Sequence, residues 1–192
     1  GATIPVELAW KPKLRAFNGL PGEYKIGALY STADANDVGT AGKEYSGKHS
    51  FWINTQQQLT QRENDPKRGL FLSFNGVLND KATTTVQSTQ QIAVWYKGVF
   101  DSRPNDSIGF GLANYLVNDR ARDRQIATNE SRGYYEYDAF ATNYIPIQRD
   151  ELNVELNYTY QWSPAVMLRP NIQYIHQPAG VKEVDDAWVA GL

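Results

Sequence analysis

The chain has no cysteine, one methionine and two histidines. Lack of cysteine removes disulfide scaffolds and thiolate zinc sites, and leaves the compartment open. His49 and His176 lie far apart in sequence, so no metal spacing can be read from them and no metal site is expected. Long apolar runs are missing too, and nothing approaches the ~18 residues of a transmembrane helix. Charge of one sign is also missing. Nineteen basic against 21 acidic residues leave a net charge of -2, which makes no electrostatic case for nucleic acid. The first residues, GATIPVELAW, lack the basic start and continuous apolar core of a signal peptide.

Aromatics and alternation are what the chain does have. Twelve tyrosines and five tryptophans occur in 192 residues, a length that suits one domain. In LNVELNYTYQW, Leu152, Val154, Leu156, Tyr158, Tyr160 and Trp162 share one parity. Asn153, Glu155, Asn157, Thr159 and Gln161 share the other. That is the period of a strand with one apolar and one polar face. The run exceeds the roughly 5–6 residues of a usual strand. It matches the ~9–11 residues of a tilted strand that crosses a bilayer. A mean hydropathy of -0.54 does not oppose this, because only every second residue of such a strand meets lipid.

The same design recurs at 3–10, 22–30, 49–60, 70–78, 89–98, 108–118 and 166–175, and begins again at DAWVAGL. These nine candidate strands come with no convincing helix, and 119–149 reads as the longest irregular stretch. Strands in sequence at this spacing argue for an antiparallel meander. The connections alternate between shorter turns (11–21, 61–69, 99–107, 163–165) and longer polar loops (31–48, 79–88, 119–149, 176–186). ENDPKRG, 63–69, is a strong turn signal. Outer-membrane barrels show this asymmetry of loops. Trp10, Tyr24, Tyr96 and Trp162 fall at the short-turn ends, where an aromatic girdle would lie.

PVELAWKPKL (5–14), LPGEYKIGALYST (20–32), VWYKGVFDSRPNDSIGFGLA (94–113) and LRPNIQYIHQPAGV (168–181) together resemble the carbohydrate-selective porins of the OprB type. They lie in the order of that family's C-terminal half. The resemblance implies an all-β, antiparallel transmembrane β-barrel of about sixteen strands, of which about 8–9 would lie here. It implies passive diffusion of neutral sugars such as glucose across the outer membrane of a Gram-negative cell. It implies no enzyme and no cofactor, outer-membrane lipid as surroundings, and room for a homo-oligomer. The chain departs from the pattern in being short and in ending at Leu192 without a terminal aromatic. Residues 1–192 are therefore expected to be a single porin domain, the C-terminal half of a larger barrel.

Selectivity in a wide pore comes from residues that line it. The polar parity supplies the pore-lining candidates Glu7, Glu23, Lys25, Trp52, Trp95, Lys97, Glu155, Arg169 and Asn171, with Asn54, Gln56 and Gln173 beside them. Charged groups hydrogen-bond strongly to sugar hydroxyls, and Trp52 and Trp95 offer ring faces for stacking. The charges could equally form wall ion pairs that stiffen a barrel. Trp52 changes face if its strand slips by one residue. Arg120, Arg122 and Arg124 could form an arginine track, or a solvated loop. Glu151 and Glu155 share a face, but four strand residues separate them by roughly 13 Å. That is too far for glycoside hydrolysis. A soluble β-sandwich or barrel lectin, and a structural barrel without selective transport, are the competing readings.

Overall fold

Alternation becomes strand after strand. The computed structural model describes residues 1–62 and 65–192. Its ten strands are β1 (Thr3–Trp10), β2 (Gly22–Asn36), β3 (Glu44–Gln58), β4 (Gly69–Asn79), β5 (Val86–Lys97), β6 (Ser107–Val117), β7 (Glu151–Ser163), β8 (Val166–Leu168), β9 (Asn171–His176) and β10 (Ala187–Gly191). All lie in one antiparallel sheet in chain order, with β8 and β9 pairing successive parts of β7. Among the described residues the sheet does not close, and β1 and β10 are its two edges. Pro5 lies on β1, opposite Leu29 of β2.

Three expectations need correction. The strand expected at 166–175 is divided between β8 and β9, because Pro170 has no N–H to donate. Tyr158 N–H still donates to the Pro170 carbonyl at 3.0 Å, so the sheet continues past the break. The loop expected at 31–48 is largely strand, since β2 runs to Asn36 and β3 starts at Glu44. The stretch 119–149 is not irregular throughout. It contains helix α1 (Asp119–Ser131). Of the turn expected at 63–69, Glu63 and Asn64 lie outside the described residues. Beyond them the chain does turn, with Arg68 N–H bonded to the Asp65 carbonyl.

Helix α1 shows no apolar stripe because polar contacts hold it. The Asn118 side chain caps it, accepting from Arg120 N–H at 3.1 Å. The same side chain donates to the carbonyls of Lys81 and Thr84, in the β4–β5 loop. Asn129, also buried, bonds the backbone of Ile145 in both directions.

The sheet has almost no core of its own. Leu20, Ala121, Tyr144 and Ile147 are the buried hydrophobic residues among those described, whereas Leu8 is 68% and Trp188 71% exposed. The apolar side chains gather instead on one outer face. Direct cross-strand partners share a face, and Val6, Ala28, Phe51 and Leu78 form one such row. Such a face is stable only against an apolar neighbour.

Aromatics bound this face at both ends. Trp10 and Tyr24 pack at 5.7 Å on the short-turn side, and Tyr174 and Trp188 at 5.1 Å on the long-loop side. Tyr24 and Tyr30 lie six residues apart on β2, which is about 20 Å of strand. Tyr160 and Val154, the partner of Tyr174, are six apart on β7 as well. At the ~35–45° tilt of outer-membrane strands that length rises about 15 Å between the backbone positions of the belts, within the ~25 Å apolar band of such a barrel.

Candidate functional site

The polar face carries the candidate residues, and the register ranks them in rows. One row runs Glu7, Gly27, Trp52, Val77, Thr89, Tyr115, Glu151. Two rows nearer the short turns it runs Glu23, Gln56, Ser73, Ala93, Gly111, Glu155, Gln173. The next runs Gln58, Phe71, Trp95, Gly109, Asn157, Asn171. Trp52 is thus on the polar side. Its ring lies over Gly27, and its indole N–H donates to Glu7 Oε2 at 2.8 Å.

Two charge clusters stand apart on this face. The first lies on β1–β3. Lys25 Nζ is 3.2 Å from Glu23 and 3.9 Å from Glu7, and Lys11 reaches Glu23 at 3.4 Å. The second centres on Glu155. Its Oε1 accepts from Arg169 at 3.0 Å and from Asn157 at 2.8 Å, and its Oε2 accepts from Gln173 at 2.8 Å. Asn171 joins through its amide, which donates to the Arg169 carbonyl at 3.3 Å. These pairs are partly exposed, and exposed pairs are worth only about 0–1 kcal/mol. Their consequence is therefore orientation of donors and acceptors more than stability. Lys97 lies on the same face but joins neither cluster.

Trp95 sits between the clusters. It stacks on Phe71 with ring centroids 5.3 Å apart and planes 8° from parallel. Phe71, Gly109, Gly111 and Asn157 were not among the candidates. The two glycines carry no chemistry that a sequence displays, and Phe71 matters only through its partner. Around them is a cavity of about 510 Å³, lined by Trp95, Gly109, Gly111, Glu155, Asn157 and Arg169 among others. A cavity spanning β4 to β9 on this side makes the polar face concave.

The long-loop end is closed over by polar contacts. Asp37, in the β2–β3 loop, is 1% exposed. It accepts from the N–H groups of Gly39 and Thr40, and Arg120 of α1 reaches both its oxygens at 2.7 and 2.9 Å. Burial pushes the Asp37 carboxyl up, but the two N–H groups and the guanidinium prevail and hold it below the usual carboxylate range. Arg120 is therefore a structural partner and Arg122 pairs with Asp119. The alternation of arginines does not make a track, because on a helix residues two apart do not share a face. Arg120 and Arg124, four apart, both turn to Asp37, the latter donating to its carbonyl at 3.3 Å. The two histidines each meet an aspartate at this end, His49 with Asp80 at 3.4 Å and His176 with Asp186 at 3.0 Å. Among the described residues no cluster of metal-ligating side chains forms.

Comparison with known proteins agrees with this arrangement. The chain is 85% identical over its whole length to QuiX of Acinetobacter baylyi and 45% identical to Porin B of Pseudomonas aeruginosa. It covers 44% of each, so it spans less than half the length of these relatives. Among solved structures, the high pH structure of Pseudomonas putida OprB superposes with a TM-score of 0.90 at 44% identity, over 98% of this chain and 46% of that one. The low pH structure of the same protein gives 0.60 at 34% identity, over 90% and 41%. The antiparallel sheet is therefore that of a porin β-barrel, left open over the span present here. Residues 1–192 match the carbohydrate-selective porin family of the OprB type throughout, and the chain belongs to that family.

Proposed function

We propose that the polar concave face is one part of the wall of a water-filled channel in the outer membrane, through which neutral sugars such as glucose diffuse passively. Residues 1–192 supply the C-terminal half of the barrel, and the remaining strands close the sheet between β1 and β10. One observation carries this reading. One face of the sheet is apolar and belted by aromatics, while the other is mostly polar, carries charges of both signs and is concave from β4 to β9. A wall with paired charges of both signs favours neither cations nor anions, so a neutral polyhydroxylated solute meets no net field.

Glu7, Glu23, Lys25, Trp52, Trp95, Lys97, Glu155, Arg169 and Asn171 are the pore-lining residues of this reading. Carboxylate and guanidinium groups exchange hydrogen bonds with sugar hydroxyls, and the indoles offer apolar faces to the rings. The residues hold and release solute without bond breaking. Membrane lipid covers the apolar face, and further copies of the channel can associate through it. Liposome swelling tests the proposal. The complete channel should pass glucose faster than a similar-sized anion. Equal rates would remove the selectivity, and absence of any permeation would remove the channel.

A further inference from the structure

Strand β6 presents an unusual row to the polar face. Below Tyr115 its inward residues are Ser107, Gly109, Gly111 and Ala113; Gly109 lies between Trp95 and Asn157, and Gly111 between Ala93 and Glu155. The result is a trough about 13 Å long, from Gly109 to Ala113 at ~3.3 Å per residue. Its walls stand on β5 and β7, two strand spacings or roughly 10 Å apart. Trp95 forms one wall. Its ring is stacked against Phe71 on the β4 side, which leaves its other face toward the space over Gly109. Glu155, Asn157 and Arg169 form the opposite wall, already joined by hydrogen bonds.

The floor is open at Gly111 and overhung by Asn157 at Gly109. A Cβ placed at Gly111 would meet nothing closer than 3.7 Å, so the glycine is not required by packing there. At Gly109 the nearest atom is the Asn157 amide at 3.0 Å, which leans over the glycine from the polar wall. Bare strand between an indole face and a carboxylate–guanidinium pair suits a ring with an apolar face and a hydroxylated edge. Glu155 and Arg169 cancel in charge, so the trough favours a neutral ring over an ionised one.

We propose that this trough is a binding subsite for a single neutral pyranose ring, stacked on Trp95 above Gly109 and Gly111 and hydrogen-bonded by Glu155, Asn157 and Arg169. The proposal rests on the channel reading and names where in this half of the wall the sugar pauses.

The test is block of ion current by glucose in the complete channel, reconstituted in planar bilayers. Trp95→Ala is expected to raise the half-blocking glucose concentration about 3- to 10-fold, the equivalent of one lost aromatic contact. Trp95→Phe should restore most of it. Gly111→Leu fills the floor with a residue that strands accept well, and should abolish block while open channels remain. Unchanged block in Trp95→Ala overturns the subsite, as does unchanged block in Gly111→Leu. Either result leaves the channel reading in place, provided the unaltered protein conducts and is blocked. No sugar-dependent block in a conducting unaltered protein would likewise overturn the subsite alone, whereas absence of any conductance would overturn both.

Discussion

Arg120 and Asp37 are 83 residues apart in the chain, and the guanidinium of one grips both carboxylate oxygens of the other at 2.7 and 2.9 Å. The pair joins α1 to the β2–β3 loop across the intervening β4–β5 loop. Breaking a buried pair by removing one partner leaves the other charge uncompensated. Arg120→Ala should therefore loosen α1 and residues 37–43 together. Hydrogen exchange at 37–43 and 119–131 should rise in both segments. Faster exchange in α1 alone would show that the pair does not couple them.

Asn118 has two duties that substitution can separate. Its side-chain oxygen caps α1, and its amide holds the Lys81 and Thr84 carbonyls. Asn118→Ala removes both and should free the helix start and the β4–β5 loop. Loss of the cap alone costs about 1 kcal/mol. Asn118→Asp keeps the acceptor but has no amide hydrogens, so the cap should survive while the loop is released. Protease nicking at 80–85, compared with nicking at 119–131, reads the two effects apart.

Gly27 is glycine because Trp52 lies on it. A Cβ there would stand 2.1 Å from the Trp52 ring. Gly27→Ala should push the indole aside, break its bond to Glu7 and lower stability by about 1–3 kcal/mol, as overpacking does. In a Trp52→Leu background the same change should be nearly neutral. Denaturant unfolding of the four proteins completes the cycle. An equal penalty in both backgrounds would place the cause elsewhere.

Asp186 anchors the loop between β9 and β10. It receives hydrogen bonds from the Tyr174 hydroxyl, from the His176 ring and from Gln177 N–H. These bonds, Tyr174 first, lower its carboxyl from 3.8 to about 2. A depressed carboxylate contributes stability that is present above its unfolded value and lost as pH falls through the folded one. The loop 177–186 should therefore stay protected from an acid-active protease at pH ~4, and become susceptible near pH ~2. Asp186→Asn should be susceptible at both. Equal resistance of the unaltered loop at the two values would refute the anchor.

Much of this was legible because strand parity is a local property. Leu152 and Trp162 can be assigned one face from spacing alone, and β7 spans Glu151–Ser163, within a residue of that reading at each end. Helix α1 was not legible. Its residues, DRARDRQIATNES, have no apolar stripe to signal a period. The one available sign was Asn118 placed before a charged first turn. The face of Trp52 was equally open, since its strand is mostly polar on both sides. The contact with Glu7, 45 residues away, settles it.

From sequence alone came the alternation, the sides on which turns and loops fall, the two-faced sheet and the family resemblance. Each depends on neighbours in the chain or on phrases within it. Tertiary structure decided what lies across the strands. It set Trp95 against Phe71 with bare glycine beside it, gathered Asn157, Arg169 and Gln173 on Glu155, and brought Arg120 to Asp37. Those relationships depend on register and loop path, which are fixed by pairing between distant segments and have no period within any one of them.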